Sequence, residues 1–324
     1  MKHPYTQLEF SIADLEHISS INKATIRIWE KRYTLFNPKR SSSNIRSYSL
    51  DDLKKLMNIS YLISKGYKIS KIAQMSKDEV HQIIHKSNDN DTDSNYYIEQ
   101  FLIYTFEYNR FELKQLYDEL AASNDFKTLY VEIVIPLLIK IGKLWQTEAI
   151  DISHEHFLVH FLKERLFEAI GQLDSKIKTL DPLFILFLPE NEIHELSLIF
   201  IHYLMIEKGL NTIMLGASVP IEGLAKFKGS NQKTIFYTHL TNTIRINEIR
   251  DFFKDFEKLI QSNEQLHLWV SGSLTAKEHK LFPKELPVTQ FVSIKDLDEA
   301  LEKLQQNDKK ILVKKGHRRT SQEA

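Results

Sequence analysis

The residues whose types and spacing could support chemistry follow a β-rich apolar run, Leu183–Leu188. Glu192 and His194 stand there, separated by one residue. A histidine whose second nitrogen is held by a carboxylate is the usual arrangement for a metal ligand, because that hydrogen bond fixes the tautomer and raises the basicity. Taken alone, such a histidine is more often a surface residue or a helix cap, so both interpretations stay open.

A second candidate metal site is the segment His154-Glu155-His156. Its two histidines are two positions apart, so in a helix their side chains point to different faces. One metal ion held by both histidines is therefore not expected. Trp145, a little upstream, is on its own more often a core residue than a cofactor contact.

The composition excludes several kinds of chemistry. The 324 residues contain no cysteine, which removes thiolate zinc sites, iron–sulfur clusters, disulfides and cysteine nucleophiles. None of the nine glycines is spaced as Gly-x-Gly, so the dinucleotide fingerprint and the P-loop are absent from the sequence. No apolar run approaches ~20 residues and the first residues lack a secretion signal, so we expect a cytoplasmic protein with no membrane partner.

The distribution of charge divides the chain, although the net charge is zero. Residues 1–75 carry 13 Lys/Arg against six acidic residues, a net charge of +7. Residues 87–95 contain no apolar side chain, which predicts a flexible acidic linker. A basic domain over residues 1–86 on such a linker suggests binding to a polyanion, and a solvated basic face is about as common.

The basic domain has the pattern of two short helices and a wing. Ser11 can cap a first helix, and a second helix over residues 23–32 turns Lys23, Arg27 and Lys31 outward. Two helices across a tight turn, the second of them basic, form a helix-turn-helix that fits a major groove. A serine-rich tip follows, and a third helix is predicted from Asp51 onward.

The run from Ile26 to Tyr33, followed by Pro38, Arg40, Arg46, Tyr48, Asp51 and Leu53, resembles the winged helix-turn-helix of the MerR family over residues 10–76. The resemblance implies double-stranded DNA as a partner. Together with the outward lysines, the implied DNA-binding residues are Lys23, Arg27, Lys31, Arg32, Arg40, Arg46 and Tyr48. Tyr48 alone would more often be a core aromatic residue.

The remaining chain predicts two further domains, so the fold class is multidomain. Residues 96–178 read as helices over 96–107, 110–122, 125–146 and 153–172, which predicts a four-helix bundle. Residues 179–310 alternate strands and helices, which predicts a doubly wound, flavodoxin-like parallel sheet. The predicted strands are 183–188, 212–215, 234–238, 266–270 and 288–292, and the predicted helices are 193–208, 220–228, 242–261, 274–281 and 295–305. Residues 311–324 form a basic tail.

The sheet domain carries a second resemblance. Glu192-x-His194-x-x-Ser197 is similar to the Asp-x-His-x-x-Gly signature of cobalamin-binding domains, in which that histidine is the lower ligand of cobalt. Thr238-His239-Leu240 stands where those domains have Ser-x-Leu, and Gly272-Ser273 stands where they have Gly-Gly. The resemblance implies a cofactor site made of Glu192, His194, Ser197, Thr238, Leu240, Gly272 and Ser273, with His194 as the metal ligand.

The bundle strengthens this resemblance. Trp145, nine residues, and then Glu155-His156 are similar to the cap of light-responsive, adenosylcobalamin-dependent MerR repressors of the CarH/LitR type. In that family a four-helix bundle covers the upper face of the corrin. The resemblance implies that Trp145, Glu155 and His156 enclose the adenosyl group. Gln146 stands where a branch of the family has a histidine.

The predicted function is a DNA-binding regulator, a repressor rather than an enzyme, which acts as a photoreceptor through adenosylcobalamin. It is expected to form a homo-oligomer, a dimer or a tetramer. The alternative is a regulator with a degenerate, ligand-independent cobalamin-like domain under the control of a partner protein, as Ser197, Ser273 and Gln146 suggest. A corrinoid enzyme component is less favoured, because no substrate domain remains beside the basic module.

Overall fold

The computed structural model describes residues 8–88, 94–173, 181–229, 231–241, 245–261, 263–273 and 281–305. The chain divides into two compact units, residues 1–161 and 162–324, which are described separately. Within the described part of the chain, no helix is long and apolar enough to cross a membrane. The basic tail, residues 311–324, and the predicted helix over 274–281 apart from its last residue lie outside the described residues, as do residues 89–93 of the expected linker.

The first unit begins with the helix-turn-helix that the sequence predicts. Helix α1 (Ile12–Ser19) starts at Ser11, whose hydroxyl and the Asp14 carboxylate form a reciprocal capping box. Helix α2 (Lys23–Tyr33) starts at Asn22, whose side chain accepts a hydrogen bond from the Ala24 amide. Capping groups at both starts fix the tight turn, and Ile26 and Trp29 bury one face of α2.

The wing is a small antiparallel sheet in the order β1-β3-β2. Its strands are β1 (Glu9–Phe10), β2 (Lys39–Arg40) and β3 (Arg46–Ser49). The pairing of β1 with β3 was not predicted, because two residues give no periodicity to read. Helices α3 (Leu50–Ser64), α4 (Ile69–Ile72) and α5 (Lys77–Asn88) complete the module.

The helical bundle consists of α6 (Ser94–Phe106), α7 (Arg110–Ser123), α8 (Phe126–Leu129), α9 (Ile135–Gln146) and α10 (Ile152–Leu173). The single helix predicted over 125–146 is interrupted by a π-helical turn, Tyr130–Val134. The turn lies directly before Pro136, which has no amide hydrogen to donate within a regular α-helix. The sequence predicted the extent of this helical segment but not the π-helical turn within it.

The winged module packs directly on the bundle through Phe106, the last residue of α6, and Glu107, which follows it. Phe106 contacts Phe10 of strand β1, with ring centroids 5.9 Å apart, and the Glu107 carboxylate pairs with the Lys54 ammonium of α3. Tyr108 turns the other way and stacks on His154 in the first turn of α10, with centroids 4.6 Å apart. Helix α10 is thus linked to the wing through a continuous set of side-chain contacts.

The second unit is built on a five-stranded parallel sheet in the order β5-β4-β6-β7-β8. The strands are β4 (Leu183–Pro189), β5 (Asn211–Val219), β6 (Thr234–His239), β7 (Leu266–Ser271) and β8 (Val288–Phe291). The helices are α11 (Leu196–Glu207), α12 (Ile221–Leu224) with a following 3₁₀ turn, Ala225–Phe227, then α13 (Ile246–Ile260) and α14 over 294–305. The doubly wound sheet is as predicted, and this strand order has its switch point between β4 and β6.

Candidate functional site

The candidate cofactor residues of the second unit meet at the switch point. Glu192 and His194 lie in the loop that follows β4, while Thr238 and Leu240 lie at and just beyond the end of β6. Because β4 and β6 are hydrogen-bonded neighbours, their carboxyl ends bring the two groups to one edge of the sheet. This edge is where open parallel sheets bind ligands.

Glu192 organises this edge. Its side chain is fully buried, and one carboxylate oxygen accepts hydrogen bonds from the backbone amide of His194, at 2.9 Å, and from the Nδ1 of its ring, at 2.6 Å. The other oxygen accepts the Thr241 hydroxyl at 2.5 Å. In the neutral ring, a proton on Nδ1 leaves the lone pair of the imidazole on Nε2, which is the state that a metal requires.

Thr238 and Gly272 each show an unusual feature at this edge of the sheet. The Thr238 hydroxyl is buried and has no hydrogen-bond partner among the described residues. Gly272 has a φ of +113°, and a Cβ at this position would lie 2.1 Å from the carbonyl oxygen of Leu240. Position 272 therefore accepts only glycine, which keeps the loop after β7 against the loop after β6.

A second polar cluster lies beside Glu192 at the ends of β6 and β7. The Ser271 hydroxyl is 2.5 Å from the Tyr237 hydroxyl and 2.8 Å from Nδ1 of His239. Burial lowers the pKa of His239 to about 4, against a small opposing effect of the Glu192 charge. His239 is therefore neutral at pH 7.

The other predicted cofactor residues have different degrees of exposure. Leu240 is fully buried, Ser197 is half-buried in the first turn of α11, and Ser273 is exposed. In the first unit, Trp145 is 45 % exposed near the end of α9, and Glu155 and His156 lie in the first turn of α10. Trp145 is not a buried core residue, which leaves its indole accessible to a ligand.

His154 and His156 lie in different environments, as their spacing predicts. His156 is exposed, whereas His154 is buried between Phe106 and Tyr108 and its Nε2 has no hydrogen-bond partner in the described structure. Burial lowers the pKa of His154, so its ring stays neutral. In the described part of the chain, no three metal-binding side chains come together.

The candidate nucleic-acid interface lies on α2 and the wing. Four basic side chains of α2 are exposed along one side of the helix and its end: Lys23, Arg27, Lys31 and Arg32. Arg40 is exposed on β2, and Arg46 is partly buried on β3. Basic residues on a helix and its adjacent wing are the usual footprint of a DNA-binding surface.

Glu30 joins the wing to α2, a role that the sequence did not indicate. Its carboxylate accepts hydrogen bonds from Nε of Arg46, at 3.1 Å, and from the Tyr48 hydroxyl, at 2.9 Å, and lies 3.6 Å from Arg40. Tyr48 is fully buried, and burial together with this bond raises its pKa. The structure thus places Tyr48 in the core, where it would position the wing rather than touch DNA.

Two residues of these sites were not predicted, although the sequence contains a signal for each. Glu30 is the one acid within the basic helix Lys23–Tyr33, and an isolated acid among cations indicates a designated partner. Thr241 directly follows Leu240 at a strand end on the binding edge. Neither signal identifies the partner, because Arg46 and Glu192 are brought close only by the tertiary fold.

Two protein families match separate parts of the chain. Residues 10–79 match the family described as MerR HTH family regulatory protein. Residues 97–174, which cover the helical bundle, match the family described as B12 binding domain. The chain therefore combines a MerR helix-turn-helix module with a B12-binding domain.

Curated relatives extend the similarity over most of the chain. The HTH-type transcriptional repressor CarH of Myxococcus xanthus is 23 % identical over 290 residues, which are 87 % of this chain and 94 % of the relative. The repressor CarA of the same organism is 24 % identical over 216 residues, 66 % of this chain and 70 % of the relative. The protein is homologous to these two repressors.

A solved structure supports the fold. The monomethylamine corrinoid protein of Methanosarcina barkeri superimposes with a TM-score of 0.54 at 14 % identity, over 66 % of this chain and 99 % of that one. At this identity the likeness concerns the fold alone.

Proposed function

We propose that the protein is a DNA-binding transcriptional regulator controlled by a cobalamin, as its homology to CarH and CarA and its two matched families support. The observation that carries the proposal is the pairing of His194 with buried Glu192 at the switch point, in a chain that also exposes a basic helix beside a wing. A corrinoid enzyme has no need of the second feature.

The residues at the switch point fit a cobalt corrinoid. The Glu192–His194 pair would hold a cobalt ion through one imidazole, whose Nδ1–H is bonded to the Glu192 carboxylate. The buried Thr238 hydroxyl has no hydrogen-bond partner among the residues that the structure describes, and Gly272 keeps the neighbouring loop close without a side chain. Ser197, Leu240 and Ser273 are proposed to border the same cofactor.

The finer proposal is that the cofactor is adenosylcobalamin and that light is the signal. Bound adenosylcobalamin would supply a cobalt–carbon bond that light breaks. Trp145, Glu155 and His156 are proposed as contacts of the adenosyl group, so the bundle would lose these contacts on illumination. Control requires that the ligand bind more tightly to one state of the protein than to the other.

DNA affinity would follow from the number of winged modules in the assembly. A dimer or tetramer that presents several modules to adjacent sites multiplies a modest single-module affinity through effective concentration. Light that shifts the assembly toward fewer subunits would weaken binding and end repression.

The test compares DNA binding and oligomer size of adenosylcobalamin-loaded protein in the dark and after illumination. We expect a corrin spectrum that survives gel filtration, tighter dark binding and a larger dark assembly. The His194→Ala variant should bind the cofactor more weakly and Trp145→Ala should loosen the adenosyl group, while Ile139→Ala, another exposed apolar residue of α9, serves as the control for Trp145→Ala. Failure of the wild type to retain the corrin would contradict cofactor control.

A second candidate is a regulator that works without ligand. The half-buried Ser197 hydroxyl favours it, since the corresponding glycine in the cobalamin signature leaves more room for the cofactor. This candidate predicts DNA binding that is equal in the dark, in light and without cobalamin, and replacing Ser197 by glycine should then create no corrin binding.

A further inference from the structure

One exposed apolar ridge interrupts the basic face of α2. Ile28 is 57 % exposed, and Ala24, also exposed, lies one turn before it. The core contacts of this helix are made by Ile26 and Trp29 instead. Ile28 therefore adds little to the packing of the module, and its β-branch does not favour a helix.

The neighbours of the ridge are cations. Lys23, Arg27 and Lys31 are exposed on α2, so they suit phosphate contacts, which supply affinity without sequence information. Arg46 uses its Nε on Glu30, which restricts how its guanidinium can turn toward a base. Another side chain on the exposed part of α2 is then needed to distinguish one base from another.

We propose that Ile28, with Ala24 beside it, contacts the C5-methyl group of a thymine in the major groove and so determines part of the operator sequence. Thymine presents the one apolar group in the major groove, and apolar side chains recognise it by contact. This inference rests on the proposed function, because it requires that α2 enter a groove of DNA.

The experiment begins with selection of duplexes from a random pool by the full-length protein, with and without adenosylcobalamin in the dark. Each thymine of the enriched site is then replaced singly by deoxyuridine, which lacks only the methyl group. For the wild type, we expect one replacement per half-site to weaken binding about fourfold, the factor for burying one methyl group.

Variants of Ile28 test whether its side chain causes the fourfold loss of affinity when deoxyuridine replaces thymine. Ile28→Ala should bind the thymine and deoxyuridine duplexes equally at that position, whereas Ile28→Val should keep most of the difference. Ile45→Ala is the matched control, because Ile45 is 66 % exposed near the tip of the wing and should leave the fourfold penalty unchanged. Ile28 is exposed, so its variants should unfold at the wild-type temperature.

The outcomes separate the inference from the proposed function. A wild-type protein that is insensitive to every replacement, or an Ile28→Ala variant that keeps the full penalty, would overturn the role of Ile28 and leave DNA binding intact. Failure of selection to enrich any sequence would overturn the regulator itself, and this inference with it.

Discussion

Two carboxylates, Glu30 in the winged module and Glu192 in the sheet domain, have a similar construction and opposite consequences. Each collects several donors around one anion. Glu30 gathers Arg46, Tyr48 and Arg40, whereas Glu192 gathers the backbone and ring of His194 and the Thr241 hydroxyl. Glu30 ties cations into the module, and Glu192 turns an imidazole outward.

The two sites differ in the nitrogen atoms of the donor side chain that the carboxylate does not bind. Arg46 keeps further N–H groups when its Nε is used, so it can still bind a phosphate in a fixed orientation. His194 has only one other ring nitrogen, and the bond to Glu192 makes that nitrogen an acceptor. A carboxylate can thus hold a wing in one domain, and in the other we propose that it prepares a metal ligand.

Among the substitutions that test this comparison, Glu192→Gln should have the largest effect, a loss of cobalamin affinity. The amide cannot match a carboxylate that accepts three hydrogen bonds, so the orientation and basicity of His194 should suffer and cobalamin affinity should fall about 10- to 100-fold. Equilibrium titration with the cofactor in the dark measures this. Glu190→Gln, on the same loop, should bind as the wild type does, and equal affinity for both variants would contradict the role of Glu192.

The pH dependence of stability tests the environment beside Glu192. The pKa of His239 is about 4 in the folded protein and about 6.5 when the chain is unfolded. The unfolded state therefore takes up a proton first as the pH falls, and the free energy of unfolding should decrease from pH 6.5 toward pH 4. Because the ring stays partly accessible, we expect a loss on the order of 1–2 kcal/mol at pH 5.

Urea unfolding at pH 7.5 and 5.0 checks this, with His239→Asn as the comparison. The variant has no titrating ring at this position, so its loss between the two pH values should be smaller than that of the wild type. The other histidines, including His154, contribute equally to both proteins. Identical losses would show that His239 is not the buried neutral group.

Glu30→Gln distinguishes positioning from simple charge. Removal of a negative charge from a DNA-binding surface should strengthen binding if only charge matters. We expect instead a roughly fivefold loss of affinity, because the neutral amide no longer attracts the Arg46 and Arg40 guanidinium groups and replaces one acceptor oxygen with an NH₂ donor. Asp78→Asn, an exposed acid of α5, is the matched charge control, and tighter binding by Glu30→Gln would contradict the account.

The smallest effects concern single phosphate contacts. Arg27→Ala and Arg46→Ala should each weaken DNA binding without changing the retention of cobalamin, and each should flatten the salt dependence by about one unit of slope. Fluorescence anisotropy at several salt concentrations measures both quantities. Unchanged affinity in both variants would place the DNA-binding face elsewhere.

Much of the fold was predictable because it depends on local periodicity. The alternating strands and helices of the second unit and the helical pattern of the bundle gave the domain types, and Ser11 indicated the start of α1. The π-helical turn at Tyr130–Val134 and the short strand β1 were missed, since neither produces a pattern of its own. Burial of Tyr48 was one of two interpretations that the sequence could not separate.

The candidate site was predictable only in its signature residues. Spacing identified Glu192 and His194, but the third donor to Glu192, Thr241, lies 49 positions along the chain, just beyond the end of β6. The contacts of Phe106 and Tyr108 with Phe10 and His154 likewise depend on packing between distant elements. Such partners require the tertiary structure.

We propose that the imidazole of His194 is the lower ligand of cobalt. Electron paramagnetic resonance of protein loaded with cob(II)alamin tests it directly, because the nitrogen below the cobalt splits each cobalt line. In protein labelled with ¹⁵N-histidine, we predict that the ¹⁴N triplets become doublets, and that His194→Ala lacks these doublets. Triplets that persist in the labelled wild type would mean that the cofactor's own base is the ligand, and the account would be wrong.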